Sequence, residues 1–164
     1  MKKFLLTALV VIFAGIASAA NVQTYVDPKS GGPEVWVDSV YNASNTDMDA
    51  GDVVVWTVGD STGDNDLWVT TTTSQGAAAQ NLVAGVVYPV AIALGDVGSI
   101  AIWGTGVSVD VNASITTAGD ELCASTTAGS AGECPATDAG VYQSFGVCNS
   151  TPSSSSCTAL ITIR

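Results

Sequence analysis

The chain has 164 residues, with 4 Lys+Arg against 15 Asp+Glu, no His and 4 Cys. So acidic a surface excludes tracking of nucleic-acid phosphates, and the missing histidine removes the commonest general base and the commonest transition-metal ligand. A hydrophobic content of 47% is too high for a disordered chain, and the length fits one ordinary domain or two very small ones.

Lys2 and Lys3 open the chain. An apolar run from Phe4 to Ile16 follows, interrupted only by Thr7, and Ala17-Ser18-Ala19 then supplies small residues at a cleavage point. Residues 1–20 therefore read as a secretory signal peptide cut after Ala19 or Ala20. The apolar run is short for a membrane span and no basic stop-transfer segment follows it. Without the leader, Lys29 and Arg164 are the only bases, so the mature charge is 2 − 15 = −13. Such a surface repels DNA and anionic headgroups, so neither nucleic acid nor, after cleavage, a membrane is expected as partner. Contacts between copies of the chain must then be apolar, through strand edges, or bridged by cations.

Residues 21–34 form an N-terminal extension. Strands are expected at Val35-Trp36-Val37 with Val40-Tyr41, at Val53 to Val58, at Leu67 to Thr73, in two runs between Leu82 and Leu94 split by Pro89, at Ser99 to Trp103, at Val107 to Val111 and at Thr158 to Ile163. These are short runs of Val, Ile, Thr and Trp punctuated by Gly and Asp, the pattern of an all-β domain with tight turns. Gln75 to Gln80 is the only helix candidate after the leader, and it is too short to hold alone. The terminal strand is uncharged and sits at the chain end. It is therefore the expected free edge for strand addition.

The two halves echo each other. Ala50-Gly51-Asp52 corresponds to Ala118-Gly119-Asp120, Gly85-Val86 to Gly146-Val147, and Ser99-Ile100-Ala101-Ile102 to Ala159-Leu160-Ile161-Thr162. In the first of these, Gly takes the left-handed conformation without steric cost and Asp caps the turn. The elements recur in the same order, which suggests a duplication. A first β unit over residues 35–111 and a second over 112–164 are expected, together making one compact barrel or sandwich. The same order of elements, with Val83-Ala84-Gly85-Val86, Gly98-Ser99-Ile100-Ala101-Ile102-Trp103-Gly104 and their second-half counterparts, resembles small β-barrel proteins of tailed phages that decorate or stabilise the head, and related virion surface modules. That resemblance covers about residues 35–164. It implies an assembly role on a protein surface or capsid lattice and carries over no catalytic residue.

Cys123, Cys134, Cys148 and Cys157 all lie in the second half. An even count behind a leader reads as disulfides, and four cysteines allow three connectivities. Cys123 and Cys134 flank Thr127-Ala128-Gly129-Ser130, and Cys148 and Cys157 flank Thr151-Pro152-Ser153-Ser154, so each pair is expected to bridge its own hairpin.

Few residues suggest chemistry. Asp60, Asp64 and Asp66 form the densest acidic loop and are a weak candidate for Ca²⁺, although a solvated hairpin loop is the plainer reading. Asp47, Asp49 and Asp52 are a second cluster with a still stronger case for plain turn residues. No Glu pair sits in a glycosidase-like setting, and no serine has a base to activate it. Neither a catalytic residue nor a cofactor is therefore expected. Trp36, Trp56, Trp68 and Trp103 read as strand packing, or as a sugar-stacking platform if two of them share an exposed face. Asn42-Ala43-Ser44, Asn112-Ala113-Ser114 and Asn149-Ser150-Thr151 match a short glycosylation pattern that chance can produce. The expectation is a non-enzymatic, homo-oligomeric assembly module, virion decoration-like or part of an extracellular surface layer. The alternative is a secreted adhesin or lectin-like module that uses exposed tryptophans and acidic loops.

Overall fold

Nine strands make up the regular structure of residues 34–57, 67–71, 83–135 and 144–163, the residues described by the computed structural model. They are β1 (Val35–Asn42), β2 (Val53–Trp56), β3 (Trp68–Thr71), β4 (Val83–Val87), β5 (Val97–Asp110), β6 (Glu121–Ala124), β7 (Ala131–Glu133), β8 (Gly146–Cys148) and β9 (Ser156–Thr162). The leader, the extension through residue 33, the helix candidate Gln75–Gln80 and the loop of Asp60, Asp64 and Asp66 lie outside the described residues. Among the described residues no helix is long and apolar enough to cross a membrane.

One pairing scheme runs twice. In the first ring β1 pairs antiparallel with β5 and parallel with β3, β3 pairs with β2, β2 with β4, and β4 returns to β5. In the second, the distal half of β5 pairs antiparallel with β9, β9 with β8, β8 with β6, and β6 with β7. A parallel bridge from Ala131 to Val111 carries β7 back to the end of β5. Each ring is thus a closed five-stranded barrel, and β5 belongs to both.

The sequence reading places two strands where β5 is one strand of 14 residues. Gly104 and Gly106 are responsible for the difference. Both take positive φ, at 140° and 77°, and the register with β9 shifts between Thr105 and Val107. The glycines mark a bulge, which bends the strand without ending it. A side chain on Gly104 would run into the backbone of Glu34 and Val35.

The expected free edge is also corrected. β9 is paired on both sides, with β5 and with β8. Its lack of charge reflects burial, since Cys157, Ala159 and Ile161 all lie in the core. The strand closes the second barrel and offers no edge.

Burial explains the unbroken valine runs. Val54 packs inside the first ring with Val40, Met48, Val69, Ala84, Val87, Ile92 and Ile100. Its neighbours Val53 and Val55, with Val86 and Ala101, face the other way into a core shared with Leu122, Ala124, Ala131, Phe145, Ala159 and Ile161 of the second ring. Strands buried on both faces lose the alternation of apolar and polar residues. Each fully buried valine contributes roughly 1.5–3 kcal/mol.

Both expected disulfides are present. Cys123–Cys134 spans the β6–β7 hairpin with Cα atoms 5.1 Å apart, and Cys148–Cys157 ties β8 to β9 at 6.0 Å. The second bridge closes over a tight turn in which Ser154 and Ser155 take φ of 52° and 73°, with Ser153 and Ser156 exchanging backbone hydrogen bonds. β6, β7 and β8 are three or four residues of mixed Glu, Leu, Cys, Ala, Gly and Val. They carry little strand signal of their own, and long-range pairing and cross-links hold them.

Candidate assembly surfaces

The acidic residues of the turns mostly act as caps. Asp47 Oδ1 accepts a hydrogen bond from Leu94 N–H at 2.8 Å, and Asp52 Oδ2 accepts one from Asp49 N–H at 2.8 Å. In the second unit Asp120 Oδ2 accepts from the N–H groups of Thr116 and Thr117, and its Oδ1 accepts from the Thr117 hydroxyl. Among the described residues no three Cys, Asp or Glu side chains converge to hold a metal ion.

Asp52 and Asp120 share a motif and differ in surroundings. The Gly51-Asp52 turn is wedged between the rings: Asp110 N–H donates to Gly51 O at 2.9 Å and Val53 N–H to Gly129 O at 2.7 Å. Burial at this seam, reinforced by the charges of Asp110 and Asp49, pushes the Asp52 carboxyl up to about 6, against the pull of its hydrogen bond from Asp49. Burial and Asp49 raise Asp110 as well. Gly119 has open space around it. Hydrogen bonds from Thr117 and Thr116 hold the Asp120 carboxyl below the usual range there.

The Asn-Ala-Ser triplets have a structural role that the sequence reading did not assign. Asn42 ends β1 and Asn112 lies just after β5, and in both the Asn Oδ1 accepts from the Ser N–H at 2.9 Å and the Ser hydroxyl at 2.6 Å. These are Asx turns. Their recurrence ahead of each Ala-Gly-Asp turn was a readable signal of the repeat.

The tryptophans divide. Trp56 packs against the first-ring core. Trp36 and Trp103 face solvent side by side, 51% and 37% exposed, with ring centroids 5.3 Å apart, and Trp36 Nε1 donates to Glu34 Oε1 at 3.1 Å. Trp68 packs at a tilt of 36° against Tyr41 with centroids 5.2 Å apart. Near that pair lie the exposed side chains of Leu67, Leu94 and Val97. A shallow pocket of about 390 Å³ at the end of the second ring is lined by Val111, Asn112, Ala113, Ile115, Thr127, Ser130, Pro152 and Ser155. Its polar groups are hydroxyls and one carboxamide, with no titratable side chain.

The sequence matches no known family and no curated protein. Its fold does have solved counterparts. Over 90% of this chain and 94% of the other, it is similar to a chain of the capsid of Myoviridae Phage XM1, with TM-score 0.52 and 12% identity. Over 77% of this chain and 94% of the other, it is similar to the N base of head fiber gp8.5 of bacteriophage phi29, with TM-score 0.49 and 18% identity. At 12% identity the likeness to the XM1 capsid chain is one of fold.

Proposed function

We propose that the chain is a non-enzymatic structural protein of a virion surface, an exported or surface-displayed module that docks on a capsid lattice. The observation that carries this reading is the paired-barrel fold and its likeness, across nine-tenths of the chain, to a chain of the capsid of Myoviridae Phage XM1. The two disulfides suit a protein that works outside a reducing compartment. The test is composition: mass spectrometry and cryo-electron microscopy of gradient-purified virions of the encoding virus should find the chain at stoichiometric, symmetric positions on the head. Its absence from clean virions, with recovery only in cell-envelope fractions, overturns the reading. Non-reducing peptide mapping of the virion-bound chain should recover both hairpin bridges.

A second reading is favoured by one observation. Trp36 and Trp103 share an exposed face, which is what a sugar-stacking platform requires. A glycan array on which the purified protein binds, and on which Trp36→Ala and Trp103→Ala do not, would make it an adhesin. A blank array removes that reading.

A further inference from the structure

We infer that one pole of the first barrel, built from Tyr41, Leu67, Trp68, Leu94 and Val97, is the surface that docks on the shell protein, and that its partner patch has an apolar centre and a lysine- or arginine-bearing rim. The inference rests on the virion reading above and specifies which face makes the contact.

Register builds the patch. Tyr41 lies directly opposite Trp68 on β3 and directly opposite Val97 on β5, so the three side chains form a row across neighbouring strands on one face. That face points outward, because the adjacent Val40 and Val69 fill the barrel interior. Val97 is 71% exposed, Leu94 54% and Leu67 44%. Single exposed apolar residues are ordinary; here Val97 is in register with a tilted Tyr41–Trp68 pair, Leu67 accepts the Tyr41 N–H at its carbonyl, and the turn carrying Leu94 approaches the Tyr41 hydroxyl. Aromatic anchors of this kind dominate protein interfaces.

The patch is also preorganised, which lowers the entropic cost of docking. The turn carrying Leu94 is held by hydrogen bonds from Leu94 N–H to Asp47 Oδ1 (2.8 Å), Gly95 N–H to Asn42 O (3.2 Å) and Asp96 N–H to Ala93 O (3.0 Å). A Cβ on Gly95 would sit 3.6 Å from the Tyr41 hydroxyl, which places the turn against the row.

Charge selects the occupant. Asp47 and Asp96 border the patch, and no lysine, arginine or histidine occurs among the described residues. Two such poles facing each other would bring carboxylates together without a counter-charge, which disfavours a second copy and favours a basic rim.

The test uses capsids of the encoding virus assembled without this chain, as a sedimentation partner for the purified protein. Val97→Asp and Leu94→Asp are exposed substitutions whose folding is checked by circular dichroism and intact disulfides. Thr126→Asp, exposed on the second barrel, controls for added charge. Wild type and Thr126→Asp should co-sediment, and the two pole variants should lose at least about tenfold in affinity. Wild-type binding should weaken as NaCl rises from about 0.05 to about 0.3 M. Pole variants that bind like wild type overturn the docking face while leaving the virion reading standing. Wild-type protein that never binds capsids overturns both. A wild-type oligomer in free solution that Val97→Asp splits shows a second copy on the pole and overturns the assigned partner.

Discussion

Asp52→Asn is expected to stabilise the protein at neutral pH, although it removes the charge from a turn cap. Asparagine keeps an oxygen for the Asp49 N–H, so the cap survives. The lost charge is one that the seam penalises: burial first, then the carboxylates of Asp110 and Asp49, raise the Asp52 carboxyl from 3.8 to about 6. At 1.36 kcal/mol per unit that shift corresponds to roughly 3 kcal/mol. The side chain is partly exposed, and solvent screening reduces the usable part to about 1 kcal/mol. The native state binds this proton more tightly than the unfolded chain, so between about pH 4 and about pH 6 it carries more protons and stability falls as pH rises. Asp52→Asn should therefore raise Tm by about 3–5 °C at pH 7, with the gain disappearing near pH 4. Asp120→Asn should do the reverse. The Thr117 and Thr116 hydrogen bonds favour its ionised form, so the variant should lower Tm at pH 7, with the loss shrinking as pH falls below the ordinary carboxylate range. Thermal unfolding followed by circular dichroism between pH 3 and pH 8 reads both. Both variants remove one charge from the same acidic chain, so the general relief of repulsion is common to them and the contrast between them reports the local surroundings. A less stable Asp52→Asn at pH 7, or a difference that does not change with pH, refutes the reasoning.

Three further outcomes follow from the same geometry. Removing either disulfide by paired Cys→Ser substitution should cost about 2.5–3 kcal/mol by loop-closure entropy, measured as a drop in denaturant midpoint; a loss below about 1 kcal/mol would mean that strand pairing alone already restrains these loops. Ile161→Pro and Thr162→Pro should both fail to fold, because β9 is paired on both sides and Thr162 N–H donates to Phe145 O at 2.8 Å; a folded variant of either would restore β9 as an edge. Gly85→Ala and Gly146→Ala should each destabilise by roughly 1–3 kcal/mol, since the added methyl would sit 2.7 Å from Ala101 O in one case and 2.5 Å from Leu160 O in the other; similar losses at both sites would show that the two strands do the same work.

The parts legible in sequence are those where local chemistry coincides with the final structure. Val53–Val55 reads as a strand because it is buried on both faces, and each cysteine pair reads as a hairpin staple because a turn lies at its centre. What the chain hides is decided at long range. Gly104 and Gly106 look like a strand end, and only the pairing of β5 with both β1 and β9 turns them into a bulge. The uncharged terminal segment looks like an edge until β8 is seen on its other side. β8 itself, Gly146–Cys148, has no run of residues long enough to announce a strand. The docking pole was illegible because Tyr41, Trp68 and Val97 are distant in sequence and meet only through register. Trp36 and Trp103 are likewise distant in sequence and share an exposed face only because β1 and β5 pair in register.

Sharing one strand between two barrels has a consequence for how the chain folds. The first ring contains all its strands within residues 35–110, and its interior cluster is drawn from those residues alone. The second ring is different: its β6, β7, β8 and β9 close only on residues 103–111, and its core includes Val107, Val109 and Val111 from that strand. A fragment of residues 112–164 therefore lacks the strand that joins β7 to β9 and leaves two edges open. Cut at the same point, residues 21–111 keep a complete ring but expose Val53, Val55, Val86 and Ala101 on its outer face, a patch the second unit normally covers. Extending the second fragment to residues 97–164 restores β5 but strips the first ring from its flank. The expected outcome is an ordered but self-associating first fragment, and an unfolded 112–164 fragment even with both disulfides oxidised. Amide dispersion in two-dimensional NMR and sizing of each fragment decide it. A well-dispersed, monomeric 112–164 would mean that the second barrel closes without β5, and that the shared strand is a tether and not a structural requirement.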